Sequence, residues 1–340
     1  MSDVVVMRCD SSRDMGIGHL SRCVTLAHCM MRSGLEPRFV SRVLPGDQRA
    51  LLRQQELSVI DLQTDDADAA TLASEANRLG ASWILLDPPQ LGIDYERAVG
   101  RLTGIPLAVI DGQFRTHDCA LLLNPNAYAT RQNCEATVPG NCVILAGYQY
   151  FLLRESFADV VCNERAETPS IVVTLGGADP DNLTLSICQQ LARLAMEAIF
   201  HVVLGPANPY FENVTAFLAE NPDPRFRLHR QPDNFENLLA DCTVCVSAGG
   251  VTLGEAAFLR KPVIALVIAE NQRRTVTFLA HRSAVIAAEP SEVGDAVNTL
   301  LHDADRRDAL RAAQHGLVDG RGAARVVSAL LDAPSDLDDH

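Results

Sequence analysis

Three glycine-bearing segments hold most of the residues whose types and spacing could do chemistry. Each follows an apolar, strand-like run and precedes a helical pattern. Glycine lets the main chain pass close to a ligand, and the helix behind it offers unpaired N–H groups and a positive dipole end. The first segment runs from Asp10 to His19 and contains Gly16-Ile17-Gly18-His19. His19 falls in the first turn of the expected helix, where the dipole suits a neutral imidazole able to accept a proton. A capping or solvated histidine is the plainer alternative. Asp10 and Asp87, each at or just after a strand end, could orient that ring or bind ligand groups, so His19, Asp10 and Asp87 are the catalytic candidates. Asp87 could equally cap a loop. Gly16, Gly18 and Arg22 join the binding candidates.

The second segment is Gly176-Gly177-Ala178-Asp179-Pro180. It reads either as close approach of Gly176, Gly177 and Asp179 to a ligand or as a tight turn with Asp179 at a helix cap. The third segment runs from Ser247 through Gly249, Gly250 and Thr252 to Glu255 and opens a helix, so its amides could hold a diphosphate. Glu255 lies one turn inside, where a carboxylate can accept bonds from the vicinal hydroxyls of a ribose or simply complement the dipole. Asn271 and Gln272 follow a strand and offer amides to a polar ligand, or serve as turn and cap residues.

The elements that must position these residues alternate regularly. Strands are expected at 4–9, 37–42, 57–62, 83–87, 107–111, 121–124 and 143–146, with helices between them, such as 19–32 and 67–79. A polar stretch at 163–169 reads as a linker. A second alternation follows, with strands at 171–175, 200–204, 226–230, 244–247 and 262–267 and helices at 182–196, 211–219 and 234–240. This spacing predicts an α/β protein of two doubly wound, Rossmann-like domains facing a cleft, with ligand at the carboxyl ends of both sheets. The expected division is 1–162, a linker at 163–169, a nucleotide-binding domain at 170–333 and a frayed acidic tail at 334–340.

The totals exclude several classes. At 340 residues the chain suits two domains of roughly 100–200 residues each. A net charge of −14 repels phosphate backbones and anionic membranes, so neither nucleic acid nor a membrane is an expected partner. No apolar run approaches the roughly 18–20 residues of a membrane span, and no signal-peptide pattern opens the chain, so a cytoplasmic protein is expected. The ten cysteines are scattered and read as reduced, buried thiols. Cys242 and Cys245 lack a second pair or a histidine beside them, so no metal set is expected. The first loop is not a dinucleotide fingerprint, because Ser21 takes the third glycine position and the second strand ends in Arg42 rather than an acid. The oligomeric state is left open.

Five segments in order carry a resemblance: DSSRDMGIGHLSRCVTLA (10–27), VIDGQFRTHDCALLLNPN (109–126), LAGYQYFLLRESF (145–157), VTLGGADPDNLT (173–184) and SAGGVTLGEAAFLRKPVIALVIAENQ (247–272). Together they resemble the UDP-2,4-diacetamido-2,4,6-trideoxy-β-L-altropyranose hydrolases of pseudaminic acid biosynthesis, over residues 4–285. The resemblance implies the GT-B fold and water attack at the anomeric carbon of a UDP-sugar, with inversion and loss of UDP. It implies no metal and no cofactor. It makes His19 the general base, places Glu255 on the ribose and Asn271 at the phosphates or sugar, and seats UDP mainly on the second domain. The family usually has an Asp-His-Tyr-like triplet after the fourth strand, where this chain reads Asp87-Pro88-Pro89, and many relatives have an aromatic in place of Gly254. A GT-B glycosyltransferase and a non-catalytic nucleotide-sugar binder are the alternatives.

Overall fold

The computed structural model describes residues 3–12, 18–63, 68–87, 90–160, 168–177, 179–205 and 208–332. The chain divides into two compact units: Met1–Arg154 with Gly320–His340, and Glu155–Asp319. Most of the expected linker, 163–167, and the expected tail, 334–340, lie outside the described residues.

The first unit is built on seven strands: β1 (Val4–Arg8), β2 (Glu36–Arg42), β3 (Val59–Leu62), β4 (Ala81–Leu86), β5 (Leu107–Ile110), β6 (Leu121–Asn124) and β7 (Val143–Ala146). They lie in the order β3-β2-β1-β4-β5-β6-β7, and every pairing is parallel. Near-continuous Val, Ile and Leu runs are what a sheet covered on both faces requires. Alternate residues of β1 serve opposite sides: Val5 and Met7 enter one core with Leu20, Leu26, Phe39 and Trp83, while Val6 enters another with Val40, Leu72, Ile84 and Val99. The chain winds from β1 to β2 and β3 on one side and returns to β4 on the other. The topological switch point therefore lies where β1 meets β4, with Arg8 in register with Leu86.

The second unit carries β8 (Ser170–Thr174), β9 (Ile199–Leu204), β10 (Phe226–Arg230), β11 (Val244–Ala248), β12 (Val263–Leu266) and the short β13 (Ile286–Ala287), the last not expected from the sequence. Their order is β10-β9-β8-β11-β12-β13, again all parallel. Its switch point lies between β8 and β11, where Thr174 pairs with Ser247. An apolar cluster that includes Ile171, Val173, Phe200, Val246 and Ile264 covers one face of this sheet, while Val172, Cys245, Val263 and Ala265 are buried outside that cluster.

Two boundaries differ from the sequence expectation: the second unit begins at Glu155 rather than after the stretch 163–169, and the chain returns to the first unit at Gly320. The helix Gly322–Asp332 falls within the stretch 170–333, yet it packs on the first unit. Val326, Val327 and Leu330 join the core of β1 and the helix Gly18–Arg32. The Trp83 indole donates to the Leu330 carbonyl at 3.1 Å. Arg325 donates to the Gln149 carbonyl at 2.8 Å. An amphipathic stripe says that a helix must cover a core, not which one. No helix among the described residues is long and apolar enough to cross a membrane.

Candidate active site

The first unit gathers chemistry at its switch point. His19 stands in the first turn of the helix Gly18–Arg32, and Asp87 directly follows β4. The Asp87 amide donates to the Arg8 carbonyl at 3.0 Å, which fixes the residue against β1. Nδ1 of His19 lies 3.1 Å from Oδ1 of Asp87. Arg22, one turn along the same helix, donates through Nε to Oδ2 of Asp87 at 2.9 Å and through Nη2 to Oδ1. Nη2 also sits 3.0 Å from Nδ1 of His19. The Cys23 thiol donates to Oδ2 at 3.1 Å. Asp87 is buried, whereas the His19 and Arg22 side chains are about a quarter exposed, at 25% and 24%. Burial pushes the Asp87 carboxyl up, but the Arg22 charge and the hydrogen bonds from His19 and Arg22 outweigh it and hold the group below the ordinary aspartate value. The result is a carboxylate–imidazole pair with a guanidinium across both, on the rigid ends of two central elements. Gly16, Pro88 and Pro89 lie outside the described residues. A Cβ at Gly18 would meet nothing within 4 Å, so packing does not demand glycine there.

Asp10 is placed elsewhere. Both its oxygens pair with the Arg8 guanidinium, and Oδ1 also accepts the Arg42 amide at 2.8 Å. Arg8 and Arg42 continue to Asp68, which accepts the Tyr95 hydroxyl at 2.7 Å. Burial pushes Asp68 up, but these donors hold it low. This network braces the ends of β1 and β2, so the structure gives Asp10 a bracing role and gives Asp87 to His19. Arg8, at the end of an otherwise apolar strand, is the one sequence signal that could have announced the network.

A further group missed by sequence reasoning follows β5. Buried His117 sets Nδ1 2.7 Å from Glu96 and Nε2 3.5 Å from Asp111. Burial would lower the imidazolium's stability, but the two carboxylates raise its pKa to about 9. Asp111 also accepts the amides of Gln113 and Arg115 and the Arg115 side chain, and is driven down to about 2 against the upward push of burial. The group holds the loop in which Phe114 takes a left-handed φ of 58°.

In the second unit, Gly176 turns the chain after β8 with φ 82°, and Gly177 follows, exposed. Gly177 passes so close to Gly205 that a Cβ on the latter would stand 2.7 Å from the Gly177 Cα. Asp179 is fully buried and accepts the amides of Leu183 at 2.8 Å and Thr184 at 3.0 Å, so it caps the helix Leu183–Ala192. Ser247 is buried, and its hydroxyl donates to the Ala248 carbonyl at 3.0 Å. The Gly249 amide goes to the Leu266 carbonyl at 2.9 Å and to Oε1 of Gln272 at 3.2 Å, and the Gly250 amide goes to the Ala248 carbonyl at 2.8 Å. The two glycine amides expected to hold a diphosphate are thus engaged within the protein. At the head of the helix Thr252–Phe258 the Leu253 and Gly254 amides donate to the Gly250 and Val251 carbonyls, which leaves those of Val251 and Thr252 as the donors that a ligand could reach. Gln272 also accepts the Ile268 amide, so it ties two loops together. Asn271 beside it is exposed. Glu255 is 2% exposed and Gly254 is buried with it. Nine described cysteines, Cys242 and Cys245 among them, are buried thiols outside any disulfide.

Residues 154–331 match the family model described as UDP-N-acetylglucosamine 2-epimerase. The UDP-2,4-diacetamido-2,4,6-trideoxy-β-L-altropyranose hydrolase of Campylobacter jejuni is 25% identical over 279 residues, covering 82% of this chain and 96% of that protein. The hydrolases resembled by the sequence motifs are thus represented among its relatives. The spore coat polysaccharide biosynthesis protein SpsG of Bacillus subtilis is 27% identical, covering 95% of this chain and 96% of that protein. Among solved structures, the UDP-GlcNAc 2-epimerase from Neisseria meningitidis bound to UDP-GlcNAc superposes with a TM-score of 0.66 at 14% identity, covering 96% of this chain and 99% of that one. That likeness is one of fold, and it agrees with the GT-B fold class expected from the sequence.

Proposed function

The chain belongs to the UDP-N-acetylglucosamine 2-epimerase family, and on that premise we propose that this nucleotide-sugar-processing enzyme hydrolyses a UDP-linked amino or deoxy sugar. A water oxygen attacks the anomeric carbon while His19 takes its proton. The bond from that carbon to the diphosphate oxygen breaks, and UDP leaves with the electron pair. General-base assistance of this kind typically contributes about 10²–10⁴-fold. Asp87 holds the ring through Nδ1, which leaves Nε2 for the water. First-turn amides at Val251 and Thr252 stabilise the leaving diphosphate, Glu255 binds the ribose and Asn271 reaches phosphate or sugar. No metal cofactor is needed in this reading.

The observation that carries it is the His19–Asp87 contact at the first switch point: a proton acceptor held by a buried carboxylate where doubly wound sheets bind ligands. The test is incubation with a panel of UDP-sugars, without acceptor, while free UDP is measured. His19→Ala should abolish turnover with UDP affinity nearly intact. Glu255→Ala should instead weaken UDP binding. Wild-type turnover in His19→Ala would remove that residue from the chemistry. Release of UDP only after an acceptor is added would make the protein a transferase, and an isomeric UDP-sugar with no free UDP would make it an epimerase.

A further inference from the structure

Beside the proposed catalytic pair, and sharing its Asp87, lie two thiols that the hydrolytic reading does not use. Cys9 follows β1, Cys23 lies one turn inside the helix Gly18–Arg32, and Asp87 follows β4. All three are buried, and one ligand atom from each lies within 4.8 Å of the other two. We propose that Cys9, Cys23 and Asp87 form a binding site for a soft divalent cation of the zinc type, and that its occupation switches the neighbouring His19 off.

Bond lengths of about 2.3 Å to sulfur and about 2.0–2.2 Å to oxygen in a tetrahedron place ligand atoms roughly 3.3–3.8 Å apart. The Cys23 Sγ already lies 3.1 Å from Oδ2 of Asp87, so small adjustments on otherwise rigid elements suffice. The donor chemistry selects the metal: two thiolates favour zinc, cadmium or cobalt over magnesium or calcium.

Charge balance also permits it. The Cys23 proton now sits between Sγ and Oδ2. A divalent cation entering there displaces one proton from each thiol, so the net charge of the buried pocket does not change. The Arg22–Asp87 ion pair need not break, because a carboxylate has lone pairs for both partners. The fourth coordination position is open to water or to Nδ1 of His19, which lies 3.1 Å from Oδ1 of the same carboxylate. Entry is from the side of His19 and Arg22, the two partly exposed residues of the cluster. A cation in this position draws Nδ1 of His19 toward itself and away from Asp87, so the ring loses the orientation proposed for the base. The site stands on its own geometry; its effect on turnover rests on the role proposed for His19.

Cobalt is the probe. Titration of the fully reduced protein with Co²⁺ should produce thiolate-to-metal charge-transfer absorption and the visible bands of a tetrahedral site, saturating at a single equivalent, and Zn²⁺ should displace them. Cys9→Ser and Cys23→Ser should each lose the charge-transfer band. Cys119→Ser, which breaks the other close thiol pair (Sγ 3.8 Å from that of Cys142), should keep it. Circular dichroism confirms that each variant is folded. Zn²⁺ should slow UDP release on the order of 10²-fold, the scale of lost base catalysis, and a chelator should restore it. Absence of the band, or its survival in both Cys9→Ser and Cys23→Ser, overturns the site. Cobalt binding with undiminished turnover overturns the switch alone. A protein that binds cobalt but releases UDP from no substrate retains the site and refutes the hydrolase reading instead.

Discussion

Replacing Asp87 by asparagine removes a charge and keeps the shape, and its consequence can be worked from two distances. When His19 takes a proton, the imidazolium is attracted by Asp87 at 3.1 Å and repelled by Arg22 at 3.0 Å. At an effective dielectric of about 20 each interaction is roughly 5 kcal/mol, so in the native site they nearly cancel. Asp87→Asn leaves the repulsion alone. His19 and Arg22 are both about a quarter exposed. Solvent screening reduces the surviving term to about 2 kcal/mol. At 1.36 kcal/mol per tenfold, kcat should fall about 30-fold while KM moves less than about threefold. Adding Arg22→Met removes the unpaired cation, so the double variant should regain part of the lost kcat even if its KM rises. The assay is steady-state UDP release with thermal melting alongside. Arg22, reaching solvent, should leave the single variant less stable by about 1–3 kcal/mol, below the usual penalty for breaking a fully buried pair. If Asp87→Asn turns over within twofold of wild type while His19→Ala is dead, the electrostatic account of the site is wrong.

Two other perturbations test the surroundings. A Cβ at Gly249 would stand 2.6 Å from Cγ2 of Val276 and 2.8 Å from Cβ of Gln272, so Gly249→Ala should destabilise by about 1–3 kcal/mol and weaken UDP binding by moving the head of the following helix; an unchanged melting temperature and UDP affinity would refute this. His117, held up to about 9 from an ordinary value of 6.5 by Asp111 and Glu96 against burial, contributes stability that is complete below about pH 6.5 and is lost as pH rises through about 9. Melting temperature should therefore fall between about pH 7 and 10, and fall less in His117→Gln; equal slopes would remove His117 from the linkage.

Much of the fold was legible because its signals are local. Apolar runs of strand length alternating with helical periodicity, and glycines at strand-to-helix junctions, are properties of short windows. They placed His19 at a helix head and Gly176, Gly177, Gly249 and Gly250 after strands, where the structure has them. The same windows could not tell a ligand-holding amide from one already used. The amides of Gly249 and Gly250 are engaged by Leu266, Gln272 and Ala248, and Asp179 spends both oxygens on a helix cap. The buried His117 group was illegible because Glu96, Asp111 and His117 meet only when the helix Ile93–Thr103 packs beside β5.

By itself, then, the amino-acid order determined two parallel α/β sheets and the kinds of residue at their carboxyl ends. Only the tertiary structure decided which carboxylate holds His19. Asp10 is nearer in the chain, but Asp87, 68 residues away, is the partner, because β4 lies beside β1 while Arg8 turns Asp10 toward β2. Likewise only packing assigned the last helix to the first unit. Periodicity is written in neighbouring residues, whereas strand order and the choice among competing ion pairs depend on which distant surfaces bury each other best.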